Sequence, residues 1–202
     1  LMKWLALGDS YTVGEDVAAD EAWPAQVNRI VSREIAGATV DVIAQTGWAT
    51  CDLLLALKDT PPAMDYAFVA LLIGVNDQYR GRAVEAFRED LQRLCRRAIA
   101  CASGRVERTV LIAIPDWSVT PFAASRDRAA LATALDASNR LLASMAKSVG
   151  MAWIDIVDLS RRASTDPAWL APDGLHPSGA MYAAWAERIA PLIVRAVSPD
   201  RR

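Results

Sequence analysis

The 202-residue sequence contains one histidine and three cysteines, and these are poor material for a zinc or di-iron centre. Cys51, Cys95 and Cys101 lack metal-type spacing; they read as buried thiols of a reducing compartment, with a Cys95–Cys101 disulfide as the alternative. No stretch approaches the roughly 20 apolar residues of a membrane span. The N-terminal apolar run, 4–7, stops at Gly8-Asp9 and is shorter than the about 7–15 residues of a secretory leader. Leu1 ahead of Met2 reads as an added residue. The expectation is a cytoplasmic protein, which a longer natural N-terminus would change. Basic and acidic residues number 22 and 24, net charge -2, so there is no basic field for nucleic acid or an anionic membrane. Neither G-x-x-x-x-G-K-[ST] nor G-x-G-x-x-G occurs, which leaves nucleotide binding unsupported.

What is present is alternation. Short apolar runs at 3–7, 39–44, 66–73, 108–114 and 152–156 read as strands, their near-continuous hydrophobicity suiting a parallel sheet covered on both faces. Between them, 23–36, 83–102, 128–148 and 179–197 have helical period. Pro24 suits a first helical turn, and Thr50 and Ser178 are N-cap candidates. The pattern predicts a single α/β/α domain over 1–202, with a loose tail from Ser198 to Arg202. A chain this long buries roughly 70% of its unfolded surface and needs no staples. In such sheets ligands bind outside the carboxyl ends of the strands. Functional residues are therefore sought just after the apolar runs.

His176 lies in "APDGLHPSGA" (171–180), a loop rich in Pro and Gly ahead of the last helix. Asp173, three residues upstream, is close enough in a tight turn to hold one ring nitrogen. The other nitrogen is then free to act as a base, competent around neutral pH because imidazole ordinarily titrates near pH ~6.5. Ser10 ends the first apolar run in "LALGDSYTVGE" (5–15) and supplies a hydroxyl for such a base to activate. Tyr11 to Gly14 gives no strong helix to cap, which favours a presented serine over an ordinary turn. Acyl transfer also needs oxyanion donors. The candidates are the Ser10 amide, Gly47 after the second strand, where no side chain would block a ligand, and the Asn76 side chain in "LLIGVNDQ" (71–78). Asp9 and Asp77 read as loop-fixing residues.

"GDS" at 8–10, Gly47, "GVND" at 74–77 and "DGLHP" at 173–177 resemble, in order, the four signature blocks of the SGNH hydrolases, also called the GDSL esterase/lipase family. The resemblance implies a flavodoxin-like α/β/α fold with a five-stranded parallel sheet. It further implies Ser10 as nucleophile, His176 as base and acid, Asp173 as its partner, and an oxyanion hole of Ser10, Gly47 and Asn76. It implies hydrolysis of small-molecule esters through an acyl-enzyme, with no cofactor and no metal. Tyr11 stands where the family name has Leu, a departure that touches substrate contacts and not the mechanism. The G-x-S-x-G elbow of the α/β-hydrolases is absent.

Of seven tryptophans, Trp4, Trp153 and Trp185 suit strands or helix faces, while Trp48, Trp117 and Trp169 fall in loops or near strand ends. Trp48, beside Gly47, is expected near the acyl group. Trp117, within the proline-bearing segment 114–123, is expected in a wall of the substrate site, with Tyr11 as a further contact. An aromatic-lined site favours short or aryl acyl esters. Carbohydrate O-deacetylation, thioester or lysophospholipid hydrolysis on the same residues, and a non-catalytic binding module are the alternatives.

Overall fold

The computed structural model describes residues 2–198; of the tail expected at 198–202, residues 199–202 lie outside the described residues. Five strands, β1 (Lys3–Gly8), β2 (Thr39–Ala44), β3 (Phe68–Leu72), β4 (Thr109–Ile112) and β5 (Ala152–Ile154), form one parallel sheet in the order β2-β1-β3-β4-β5. This is the flavodoxin-like order. Consecutive residues of β1 from Trp4 onward, and all those of β3 and β4, are buried; since neighbours on a strand face opposite ways, both sheet faces are covered. The edge strand β2 is only half-buried.

The cover consists of α2 (Trp23–Glu34) packed on α8 (Gly179–Val197), and of α3 (Thr50–Asp59), α5 (Val84–Cys101) and α6 (Arg128–Val149) packed in series. In α5, Phe87, Leu91, Leu94, Cys95 and Ala98 recur at helical spacing and are buried. Pro24 sits in the first turn of α2, where its missing N–H costs nothing. The Ser178 hydroxyl accepts from the Met181 amide at the start of α8. Trp4, Trp23 and Trp185 are fully buried, and the first two rings meet at 6.0 Å. All three cysteines are free, Cys95 and Cys101 buried and Cys51 half-buried. No helix among the described residues is long and apolar enough to cross a membrane.

Two local expectations are corrected. Thr50 is not a cap: Ala49 precedes α3, the Asp52 carboxylate accepts from the Ala49 amide at 2.9 Å, and the Thr50 hydroxyl serves another group described below. Tyr11 to Gly14, read as giving no strong helix to cap, does follow a cap: Ser10–Val13 form the one-turn helix α1, capped by Asp9 and ended by Gly14 in the left-handed region. The short helices α4 (Val75–Tyr79) and α7 (Val157–Arg161) follow β3 and β5.

The end of β1 is tightly confined. Gly8 lies opposite Ala44 of β2 and Leu72 of β3, and a Cβ added there would meet the Thr12 hydroxyl at 2.1 Å and the Leu72 carbonyl at 2.6 Å. The Leu72 carbonyl belongs to the sheet backbone, so the clash is not relieved by turning a side chain alone. Gly8→Ala is therefore expected to cost roughly 1–3 kcal/mol, about 2–12 °C in Tm. Thermal denaturation of the variant measures it.

Candidate active site

The serine turn is built by a carboxylate. Asp9 Oδ1 accepts from the Tyr11 amide at 3.0 Å and starts α1, which places Ser10 as its first residue. Turn and presentation therefore coincide, and the Ser10 amide, in the first turn, has no carbonyl one turn back to bond. Asp9 is fully buried, its Oδ2 has no partner among the described residues, and burial pushes its carboxyl up to about 8, with the nearby Asp77 adding to the shift.

The histidine arrives from the other end of the chain. Ala171 N–H donates to the His176 carbonyl at 2.8 Å, closing the loop ahead of α8. Asp173 Oδ1 accepts from the Leu175 and His176 amides, both at 2.9 Å, which leaves Oδ2 facing His176 Nδ1 at 2.5 Å. Nε2 lies 2.9 Å from Ser10 Oγ, across 166 residues of sequence. With the carboxylate on Nδ1, the neutral ring carries its proton there and Nε2 accepts from the serine hydroxyl. Partial burial opposes ionisation of Asp173, yet its bonds from His176 and the two amides hold its carboxyl below the usual range. A further bond ties the two segments together: Asp16, on the loop after α1, accepts from the Asp173 amide at 2.8 Å.

Gly47 and Asn76 follow β2 and β3. Gly47 has φ +84, and a Cβ built on it would meet nothing within 4 Å. The left-handed backbone favours glycine there. Its N–H has no partner among the described residues. The Asn76 amide donates one N–H to the Trp48 carbonyl at 2.9 Å, leaving the second for another acceptor. Asp77 is a buried anchor. It accepts from the Thr50 amide at 2.9 Å and hydroxyl at 2.7 Å, and pairs with Arg82. That is the use of the Thr50 side chain. It joins the loops after β2 and β3.

Ser10, Gly47, Asn76 and His176 line one cleft of about 240 Å³. Its walls are largely apolar, from Tyr11, Val75, Tyr79, Trp117, Phe122 and Leu175, with Thr46 at the edge. A larger, open hollow between α3 and α5 shares no lining residue with it. Trp48 does not line the cleft, contrary to expectation: its side chain packs half-buried against the core, and it meets the site only through its carbonyl. Phe122 lies in the segment 114–123 expected to form a wall, whereas Tyr79 and Leu175 were not among the expected contacts. Val75 and Tyr79 stand four apart on α4, so helical spacing after Gly74 would have put both on one face. The segment after β4 is held by buried Asp116, which accepts from the Ser118 amide at 3.0 Å and from Arg161 Nε at 2.8 Å. The Phe122 amide donates to the Gly174 carbonyl at 3.2 Å, joining this wall to the histidine loop.

Comparison with known proteins adds an independent line. The model of the GDSL-like Lipase/Acylhydrolase family matches residues 6–184. No curated protein matches by sequence. Among solved structures, the lipase/acylhydrolase from Enterococcus faecalis is similar at TM-score 0.74 and 22% identity, with 100% of each chain covered. TesA matches at 0.72 and 19%, covering 96% of this chain and 99% of its own. The acetylxylan esterase Axe2 from Geobacillus stearothermophilus matches at 0.69 and 18%, covering 98% of this chain and 94% of its own. At these identities the structures show a shared fold.

The buried Asp9 generates a pH prediction. The folded chain keeps a proton there that the unfolded chain releases, so this group's contribution to stability declines as pH rises from about 3.8 and is fully lost above about 8. Asp9→Asn keeps an acceptor for the Tyr11 amide without the charge. The Tm of this variant minus that of wild type should grow steadily from pH 4 to pH 8 and then level off. A difference independent of pH would show that Asp9 does not titrate in this way.

Proposed function

The chain belongs to the GDSL-like lipase/acylhydrolase family, an ester-hydrolysing family, and from that premise we propose that it is a serine esterase whose nucleophile is Ser10. The observation that carries the reading is the hydrogen-bonded series Asp173 Oδ2, His176 Nδ1, His176 Nε2, Ser10 Oγ, with links of 2.5 and 2.9 Å. A serine hydroxyl is a weak nucleophile until an adjacent base takes its proton, and this series supplies the base and its orienting group.

In the proposed cycle Ser10 Oγ attacks the ester carbonyl as Nε2 accepts its proton. Asp173, held ionised, stabilises the imidazolium that forms. The carbonyl oxygen becomes an oxyanion received by the Ser10 and Gly47 amides and the second N–H of Asn76. Nε2 then protonates the departing alcohol. Water, activated by the same nitrogen, attacks the acyl-enzyme and releases the acid, restoring Ser10. Every proton passes through one ring nitrogen, so the chain needs no cofactor for this chemistry.

The cleft supports short acyl or aryl acyl esters as substrates. Its volume of about 240 Å³ and its Tyr11, Trp117 and Phe122 walls fit a compact apolar group. Removal of acetyl groups from a carbohydrate is the second reading, supported by the fold shared with an acetylxylan esterase. Turnover of nitrophenyl esters of graded length against a panel of acetylated sugars separates the two.

An organophosphonate should label Ser10 in the folded protein, and Ser10→Ala should take neither label nor substrate. His176→Ala should likewise lose most turnover with the fold retained. Near-wild-type rates in that variant would remove the histidine from the mechanism. Asn76→Ala should lower kcat on the order of 10²–10³. Steady-state kinetics on a nitrophenyl ester reads all three.

A further inference from the structure

At the rim of the cleft stands an arginine with almost nothing to bind. The Arg126 guanidinium lies 5.0 Å from the centre of the Tyr79 ring and 5.4 Å from that of Trp117, over two rings that line the cleft. The rings are themselves neighbours at 5.8 Å, and Phe122 meets Trp117 at 5.9 Å. Among the described residues, the one hydrogen bond of the guanidinium runs from Nη2 to the Tyr79 hydroxyl at 3.2 Å. A guanidinium has five N–H donors, so most of its capacity is unspent.

Some arginines of this chain are neutralised by carboxylates. Arg80 pairs with Asp52, Arg82 with Asp77 and Asp90, Arg161 with Asp116 and Asp136, and Arg188 with Asp158. Arg126 has no carboxylate partner among the described residues. The acid next to it in sequence, Asp127, is turned to the start of α6, where it accepts from the Ala130 amide at 3.0 Å. The cation is thus held by aromatic faces, which fix its position without neutralising it.

Two acidic groups near the cleft are already engaged by other partners. Glu15 accepts from Thr46, at the edge of the cleft, and Asp16 accepts from the Asp173 amide. An anionic group on a substrate would find in Arg126 a cation without a carboxylate partner among the described residues. Tyr79 and Phe122 remain 49% and 44% exposed, so a carboxylate at this rim would stay partly hydrated and avoid most of the cost of burying a charge.

We propose that Arg126 is a specificity-determining residue that receives a carboxylate borne on the far end of the acyl group, so that half-esters of dicarboxylic acids are preferred over neutral esters of equal length. The proposal rests on the esterase reading above and deepens it. The apolar walls take the spacer between the scissile carbonyl and the distal charge, and the planar fork of the guanidinium matches the carboxylate.

The test compares the 4-nitrophenyl half-ester of glutaric acid with 4-nitrophenyl pentanoate on wild type, Arg126→Gln and Arg126→Glu. Wild type should favour the half-ester by about tenfold in kcat/KM, carried by KM, at low salt, and added NaCl should shrink the ratio. The ratio should collapse to near one in Arg126→Gln and fall below one in Arg126→Glu. Each protein's ratio is internal, so a general loss of activity leaves it readable. Equal use of both esters by wild type, or a preference for the half-ester that survives in Arg126→Gln, overturns the proposal and leaves the esterase standing. Hydrolysis of neither ester overturns both.

Discussion

Five strands running in one direction place every strand end at the same rim of the sheet, and the rest of the molecule follows from that. Gly8, Ala44 and Leu72 are level in the register, so the segments leaving β1, β2 and β3 emerge side by side. The loop preceding α8 comes to the same rim and sets the His176 imidazole against the Ser10 hydroxyl at 2.9 Å. An antiparallel sheet would have split these segments between two ends. The parallel arrangement lets residues 166 positions apart share a proton at one rim.

The loops themselves are shaped by carboxylates that do no chemistry in the proposed cycle. Asp9 starts the serine turn, Asp77 joins the segments after β2 and β3, and Asp116 holds the aromatic wall, all three of them buried. Each accepts from at least one backbone amide. Asp77 and Asp116 also each face an arginine, so burial leaves them paired. Asp9 has no such cation and keeps its proton instead. One residue type thus stabilises three loops by two different electrostatic means.

Much of this was legible in the sequence because parallel strands are buried on both faces and read as continuous apolar runs, and because the residues that matter fall just beyond those runs. The helices 23–36, 83–102, 128–148 and 179–197 came within a few residues of α2, α5, α6 and α8 for the same periodic reason. What periodicity could not reach was shorter or longer than its window. The four residues of α1 hold no repeat; only the Asp9 cap and Gly14 signal a helix there. The hydroxyl of Thr50 looked like a cap since caps are local, whereas its partner, Asp77, is 27 residues away. Trp48 stood beside Gly47 in the chain, but adjacency along a turn does not decide which way a side chain points. The place of Arg126 depends on Tyr79 of α4 and Trp117 after β4, which are far apart in sequence and come together beneath it.

The bond from the Asp173 amide to Asp16 has a consequence for anyone wishing to rebuild the enzyme. The histidine loop is moored to the opposite end of the polypeptide, on a residue whose φ of +61 keeps it in a narrow conformation. Grafting residues 171–178 onto a related scaffold would therefore transplant a base without its mooring. A working chimera would have to carry both pieces, the serine turn through Asp16 and the distal loop, as one unit.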